Sequence, residues 1–265
     1  MSHVLRALPD LMRVGVAGAV AYRAELVIWI LTATLPLVML AMWNAVALDG
    51  PVAGFDQDGL ARYFVATLVI RQATSVWLVW EMNYEIRSGR LSTKLLRPLH
   101  PFWQYATSML TVLPMRLVVL VPLVAALVWW RPTLLAWPGL AAVLLALAST
   151  ALAWILTFLV QACFASLAFF LDKTDGLFGV WFGMWALLSG YVAPLAIFPD
   201  WARPMVELLP FRGMLAVPVE LLGGFLSPAE AMTDIALQLL WVGVFAVLTG
   251  AVWRRGIARY GAYGA

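Results

Sequence analysis

Arg71 and Arg116 are the residues of this chain best placed to bind a charged molecule, because each interrupts a long apolar stretch. An arginine at the centre of a membrane helix costs about 2.5–3.5 kcal/mol on insertion scales. Each side chain should therefore face protein, water or an anionic group, and we regard both as candidates for lining a substrate path. The alternative is a structural role, in which they pair with backbone carbonyls or with a carboxylate of another subunit, or reach the membrane surface.

A second candidate site is the predicted loop 82–104, which overlaps the most charged segment of the chain, Glu81 to Pro101. Within it, Ile86 to Pro98 reads IRSGRLSTKLLRP. We expect a short helix here, with Ser92 as its N-cap and Pro98 just beyond its end. An apolar face on such a helix has no evident use unless a soluble partner docks on it, although a solvated connector is the alternative. The leucines that would form this face are Leu91, Leu95, Leu96 and Leu99.

The motifs of common catalytic and cofactor sites do not occur in this sequence. It contains neither the phosphate-binding pattern GxxxxGK[ST] nor the zinc pattern HExxH. The single cysteine, Cys163, and the two histidines, His3 and His100, provide neither a disulfide framework nor a thiolate zinc site. We therefore expect no catalytic residues, no metal site and no cofactor bound by this chain.

The composition is that of a membrane protein. Of the 265 residues, 64% are hydrophobic and 12% are charged, and the mean hydropathy is +0.91. Soluble domains are about 45–50% apolar and about 25% charged, so a soluble enzyme and a disordered chain are both excluded. The net charge of +3 is too small to define a nucleic-acid surface. The length suits one all-α domain over 1–265 with about six spans of roughly 20 residues each.

Long apolar runs place six predicted spans, none of which contains Asp, Glu or His. The predicted spans are 26–48, 63–80, 105–130, 138–162, 177–198 and 235–253. Residues 1–25 have opposite apolar and charged faces, which predicts an amphipathic helix lying in the membrane interface. Between spans five and six, residues 199–232 hold five prolines and apolar pieces too short to span, which predicts short extracellular or re-entrant helices.

The distribution of basic residues predicts that both termini are cytoplasmic. With that orientation the inner side carries 11 lysines and arginines and the outer side carries 4, while Arg71 and Arg116 complete the 17. The inner residues are Arg6, Arg13, Arg23, Arg87, Arg90, Lys94, Arg97, Lys173, Arg254, Arg255 and Arg259. The outer residues are Arg62, Arg131, Arg203 and Arg212.

Three segments in this order resemble one known family. They are Ala21–Glu25 ahead of the first span, Ile86–Pro98 after the second, and the stretch from Phe198 through Leu209-Pro210-Phe211 to Val217-Pro218 before the last. With them, nearly the whole chain resembles the ABC-2-type transporter permeases, in particular a subgroup with an IRxGxLS…LLRP loop. The resemblance implies six transmembrane helices, an N-terminal interfacial helix, a cytoplasmic coupling helix between spans two and three, and short extracellular helices between spans five and six.

The resemblance also implies a function, which is the membrane half of an ATP-driven exporter in a bacterial-type cytoplasmic membrane. A separate cytoplasmic P-loop ATPase dimer would bind ATP and magnesium, and a second permease, identical or paralogous, would complete the transporter within the lipid bilayer. The two arginines suggest an amphipathic or lipid-like substrate, and drugs, peptides and glycans remain open. The alternatives are a stand-alone carrier or channel and a membrane scaffold subunit. Carried over to this chain, the ATPase contact is Ser88, Gly89, Arg90, Leu91, Ser92, Lys94, Leu95, Leu96, Arg97 and Pro98.

Overall fold

Helices make up the fold in the parts of the chain that the computed structural model describes, which are residues 35–134, 136–171 and 174–260. An isolated bridge joins Val52 to Phe55 within a turn. Within the described residues, four helical segments are long and apolar enough to cross a membrane, and this confirms the prediction of an all-α polytopic membrane protein. They are Gln57–Arg87, Pro101–Trp130, Leu140–Phe169 and Pro228–Tyr260. The predicted interfacial helix, 1–25, and residues 26–34 of the first predicted span lie outside the described residues.

The first half of the described chain contains α1, Leu35–Val46, and the pair α2, Gln57–Ala73, and α3, Leu78–Arg87. Asp56 caps α2, because its carboxylate accepts a hydrogen bond of 2.7 Å from the backbone N–H of Gly59. The prediction placed one continuous span over 63–80. The structure instead breaks the helix at Thr74–Trp77, inside that range, and begins α2 six residues earlier.

After a tight turn come α4, Leu91–Leu95, and the long helix α5, Pro101–Trp130. The irregular part of the predicted loop 82–104 is shorter than expected, because α3 continues to Arg87 and proline at the first position starts α5 at residue 101. Ser92 does not act as the expected N-cap. Its hydroxyl lies within α4 and donates a hydrogen bond of 2.6 Å to the carbonyl of Gly89.

The next two helices are α6, Leu140–Ser166, and α7, Asp175–Leu188. At 1.5 Å per residue, α7 is roughly 21 Å long, less than the hydrocarbon core of about 30 Å. It ends ten residues before the predicted limit of span five, because Gly190 takes a left-handed conformation with φ of +86°. The hydroxyl of Tyr63 donates a hydrogen bond of 2.8 Å to the Gly190 carbonyl and fixes this turn against α2.

Three short helices precede the last one. They are α8, Arg203–Leu208, α9, Pro210–Met214, and α10, Ala216–Gly223, each far shorter than a membrane span. They lie within 199–232, where the sequence predicted short helices. The final helix, α11, is Pro228–Tyr260, which extends beyond both limits of the predicted span 235–253 and packs along α6.

Contacts between distant segments define two ends of the helix bundle. At one, which we name the α4 end, Asn83 donates a hydrogen bond of 2.8 Å to Asp175, and the rings of His100 and Trp253 lie 5.4 Å apart. At the other, the α10 end, Asp58 pairs with Arg131 at 3.0 Å. The predicted cytoplasmic residues of the described chain lie at the α4 end and the predicted extracellular ones at the α10 end.

Candidate functional site

Lys94 links the short helix α4 to two neighbouring helices of the bundle. The Lys94 ammonium lies 2.8 Å from a Glu85 carboxylate oxygen and 3.3 Å from one of Glu81. It also lies 3.6 Å from the centroid of the Tyr105 ring, whose hydroxyl donates a hydrogen bond to Glu85. Only 17% of the Lys94 side chain is exposed, so this cation joins α4 to both α3 and α5 in a largely buried cluster.

A second set of contacts fixes the chain on either side of α4. The Gln104 amide donates hydrogen bonds of 3.0 Å and 2.8 Å to the carbonyls of Lys94 and Leu99. Its oxygen accepts a hydrogen bond of 3.2 Å from Arg97. Leu91 is fully buried. The position of α4 is therefore set by hydrogen bonds, an ion pair and apolar packing together.

The remaining residues of the predicted partner contact face outward. Leu95, the last residue of α4, is 38% exposed and Leu96, which caps its C-terminus, is 87% exposed, so two adjacent leucines are exposed at the end of this helix. The turn before α4 depends on Gly89, which has φ of +73°. The outer face of α4 comprises Ser88, Gly89, Arg90, Ser92, Thr93, Leu95, Leu96, Arg97 and Pro98, all of which are exposed. Leu91 and Lys94 are directed toward the bundle, so these two residues of the predicted ATPase contact are not part of the exposed surface.

Arg116 forms hydrogen bonds to the backbone at the break between α2 and α3. Its guanidinium donates hydrogen bonds of 3.3 Å to each of two backbone carbonyls, those of Gln72 and Ser75. It also lies 4.9 Å from the centroid of the Trp77 ring. The side chain is buried, with 7% exposed. These contacts match the structural alternative considered from the sequence, in which an intramembrane arginine satisfies backbone carbonyls.

Gln161 provides hydrogen-bond partners for the backbone at the break between α2 and α3. This role of Gln161 was not predicted from the sequence. Its amide donates a hydrogen bond of 2.8 Å to the Val76 carbonyl and accepts one of 3.2 Å from the Val79 N–H. Backbone groups in a helix break must find partners where no water is present. A lone amide within the charge-free run 132–171 was the available signal in the sequence.

Arg71 occupies a different environment from Arg116. Its guanidinium lies 4.9 Å from the Trp185 ring centroid and 5.9 Å from that of Tyr191. Such cation–π contacts stabilise a cation by about 0.5–2 kcal/mol, depending on desolvation. Arg71 lines a small cavity of about 30 Å³ with Gln161 and Trp181, a volume that suits water better than a ligand. Among the described residues, no carboxylate forms an ion pair with either arginine.

The comparison with known protein families agrees with the resemblance inferred from the sequence. A family model described as ABC-2 family transporter protein matches residues 35–264, which is most of the chain. The chain belongs to the ABC-2 transporter family. Comparison with curated proteins gives no match. Membership of this family, together with the long apolar helices, makes the chain a multi-pass membrane transport subunit, and ABC-2 permeases generally work with an ATPase partner.

A further cluster of charged side chains lies at the α10 end of this ABC-2 family protein. The sequence did not predict it. Arg212 on α9 pairs with three carboxylates, at 3.2 Å to Glu207, 3.1 Å to Glu220 and 3.0 Å to Asp234. Burial raises the pKa of the Glu220 carboxyl to about 7, from its ordinary 4.5, against the opposing effect of Arg212. The cluster joins α8, α9, α10 and α11. Among the described residues, no group of three or more potential metal ligands has the geometry of a metal site.

Proposed function

We propose that this chain is the permease subunit of an ATP-binding-cassette exporter and that a separate cytoplasmic ATPase docks on the outer face of α4. The exposure of Leu96 is the observation that carries this proposal. Contiguous apolar side chains exposed outside the membrane indicate an interaction surface, and Leu96 is adjacent to the exposed Leu95. ATP and magnesium would be bound by the partner, because this chain contains no phosphate-binding loop.

The contacts of α4 support a role in transmitting motion. Lys94 connects α4 to Glu81 and Glu85 of α3, and the ring of Tyr105 and the amide of Gln104 connect it to α5. A displacement of α4 by a bound ATPase would therefore act on two membrane helices at once. α3 joins α2 through the break at Thr74–Trp77, which gives the second span a natural place to bend.

The charge distribution supports a cytoplasmic location for the α4 end. Among the described residues, seven basic side chains lie toward that end and four toward the α10 end, which the positive-inside rule associates with the cytoplasm and the exterior. The seven are Arg87, Arg90, Lys94, Arg97, Arg254, Arg255 and Arg259. The four are Arg62, Arg131, Arg203 and Arg212. We therefore place both termini in the cytoplasm and the protein in a cytoplasmic membrane.

The translocation path would form between this chain and a second permease, identical or paralogous. Of the two candidate arginines, Arg71 is the better one to line it, because the donors of Arg116 are directed to backbone carbonyls. An arginine stacked on aromatic rings suits the anionic part of an amphipathic or lipid-like molecule.

A double substitution on the outer face of α4 tests the proposal. Leu95→Asp with Leu96→Asp should abolish co-purification of the ATPase from native membranes, because two charges would enter the apolar contact. The matched control is Leu208→Asp with Leu209→Asp, an exposed leucine pair at the α10 end, which should leave co-purification unchanged. Retention of a stoichiometric ATPase by the α4 variant would refute docking on this face, and loss in both variants would show an effect on folding.

A further inference from the structure

A long apolar groove separates α5 from α6 on the side of the bundle that α2 closes. Its volume is about 1030 Å³. The residues of α6 that line it run from Val143 to Leu159, which is roughly 24 Å along the helix axis. The hydrocarbon core of a bilayer is about 30 Å thick, so the groove extends through most of the membrane.

The lining of the groove is suited to hydrocarbon. Apart from His100 at one extremity and Thr150 near the middle, every residue that lines it is apolar. The Thr150 hydroxyl donates its hydrogen bond, of 2.6 Å, to the Ala146 carbonyl of its own helix. A polar peptide or sugar would find no partner for its hydrogen-bonding groups along this surface, and leaving such groups unpaired in hydrocarbon is costly.

The α4 end of the groove has the opposite character. His100 lines it there, and its ring packs 5.4 Å from that of Trp253, the residue just before Arg254 and Arg255. Arg97, three residues before His100, is exposed. Trp103 also lines this end and is 53% exposed, and tryptophan is enriched at the level of lipid headgroups. The Arg97 guanidinium donates a hydrogen bond of 3.2 Å to the side chain of Gln104, the residue after Trp103, and a cation at the headgroup level can attract a lipid phosphate.

We propose that this groove holds an anionic membrane phospholipid, with its acyl chains between α5 and α6 and its phosphate beside His100 and Arg97. Three features support this occupant: a length close to that of the hydrocarbon core, an apolar lining, and the position of Arg97 in the chain three residues before His100, which lines one mouth. The proposal goes beyond the proposed function, and the lipid site shares only Arg97, at its headgroup end, with the outer face of α4. A bound lipid would occupy the space across which α5 and α6 would otherwise approach each other.

A matched pair of substitutions on α6 tests the proposal. Ala151 lines the groove and is exposed to it, so Ala151→Trp should fill the space where an acyl chain lies. Ala148, on the same helix, is also exposed but does not line the groove, so Ala148→Trp is the control. Native mass spectrometry of the full chain with phosphatidylglycerol should show several-fold less bound lipid for Ala151→Trp alone. Equal lipid retention by both variants would overturn the proposal.

Two further measurements do not depend on the folding of that variant. Phosphatidylglycerol with a photoreactive acyl chain should crosslink wild-type protein on α5 and on the Val143–Leu159 face of α6. Crosslinks confined to other helices, or a polypeptide found bound in place of lipid, would overturn the assignment. Arg97→Gln should reduce the preference for phosphatidylglycerol over phosphatidylcholine, and an absent preference in the wild-type protein would refute the phosphate position.

Discussion

Replacing Lys94 by methionine should release α4 from the bundle while leaving its outer face unchanged. Methionine retains most of the apolar length of lysine but removes the charge that joins Glu81 to Glu85. The three charged side chains are 17%, 31% and 16% exposed for Lys94, Glu81 and Glu85, so the cluster is mostly but not fully desolvated.

The expected cost follows from that degree of burial. Breaking a buried ion pair costs about 3–5 kcal/mol, and an exposed pair contributes about 0–1 kcal/mol. For this partly exposed cluster, which also includes the contact with the Tyr105 ring, we expect about 2–3 kcal/mol. At 1.4 kcal/mol per tenfold change, local opening of α4 should become roughly 30- to 150-fold more frequent.

Hydrogen exchange of peptides that cover residues 88–98 measures this opening directly. Exchange should accelerate by that factor in Lys94→Met and change much less in Lys94→Arg, which keeps the charge. Adding Glu81→Gln and Glu85→Gln to Lys94→Met should restore part of the protection, because the uncompensated carboxylates are then neutral. Exchange in Lys94→Met at the wild-type rate would show that Lys94 does not anchor α4.

Three other substitutions test separate parts of the structure. Arg116→Gln should cost about 2 kcal/mol and raise exchange over residues 72–78, because the two carbonyls that Arg116 serves lose a charge-assisted partner; unchanged exchange there would refute this role. Gly190→Ala should lower the melting temperature markedly, since its Cβ would overlap the Tyr63 hydroxyl at a backbone φ of +86°, and an unchanged melting temperature would contradict the turn. Glu220→Gln should stabilise the protein by up to about 3 kcal/mol at pH 8 and by nothing below pH 4.5. Because the pKa of Glu220 is raised to about 7 in the folded protein, the stability of the wild-type protein that depends on protonated Glu220 is fully present below pH 4.5 and is lost as the pH rises through 7. A difference in melting temperature between the two proteins that does not change with pH would refute the raised pKa.

Local features of the chain were predictable because they depend on neighbouring residues. The helix α4 follows from leucines at helical spacing and from Pro98 beyond its end, and the short helices of 199–232 follow from closely spaced prolines. The predicted N-cap at Ser92 was wrong, because Gly89 allows a tight turn that starts the helix one residue before it.

Contacts between distant segments were not predictable from one sequence. Arg116 meets carbonyls 41 and 44 positions away, and Gln161 meets Val76 at a separation of 85. Such pairs depend on how membrane helices pack, and the apolar periodicity of nearly uniform spans does not encode that rotation. For Lys94, the spacing of Glu81 and Glu85 places both carboxylates on one face of α3, but the sequence does not say which cation they meet.

The most direct test of the central claim is to purify the tagged chain in mild detergent from its native cell and identify what accompanies it by mass spectrometry. We expect a complex in which permease and P-loop ATPase subunits are present in equal numbers. A second permease sequence in the same peak would identify a heterodimer. Isolation of the chain alone, even after crosslinking, would contradict the proposal that a separate ATPase drives it through α4.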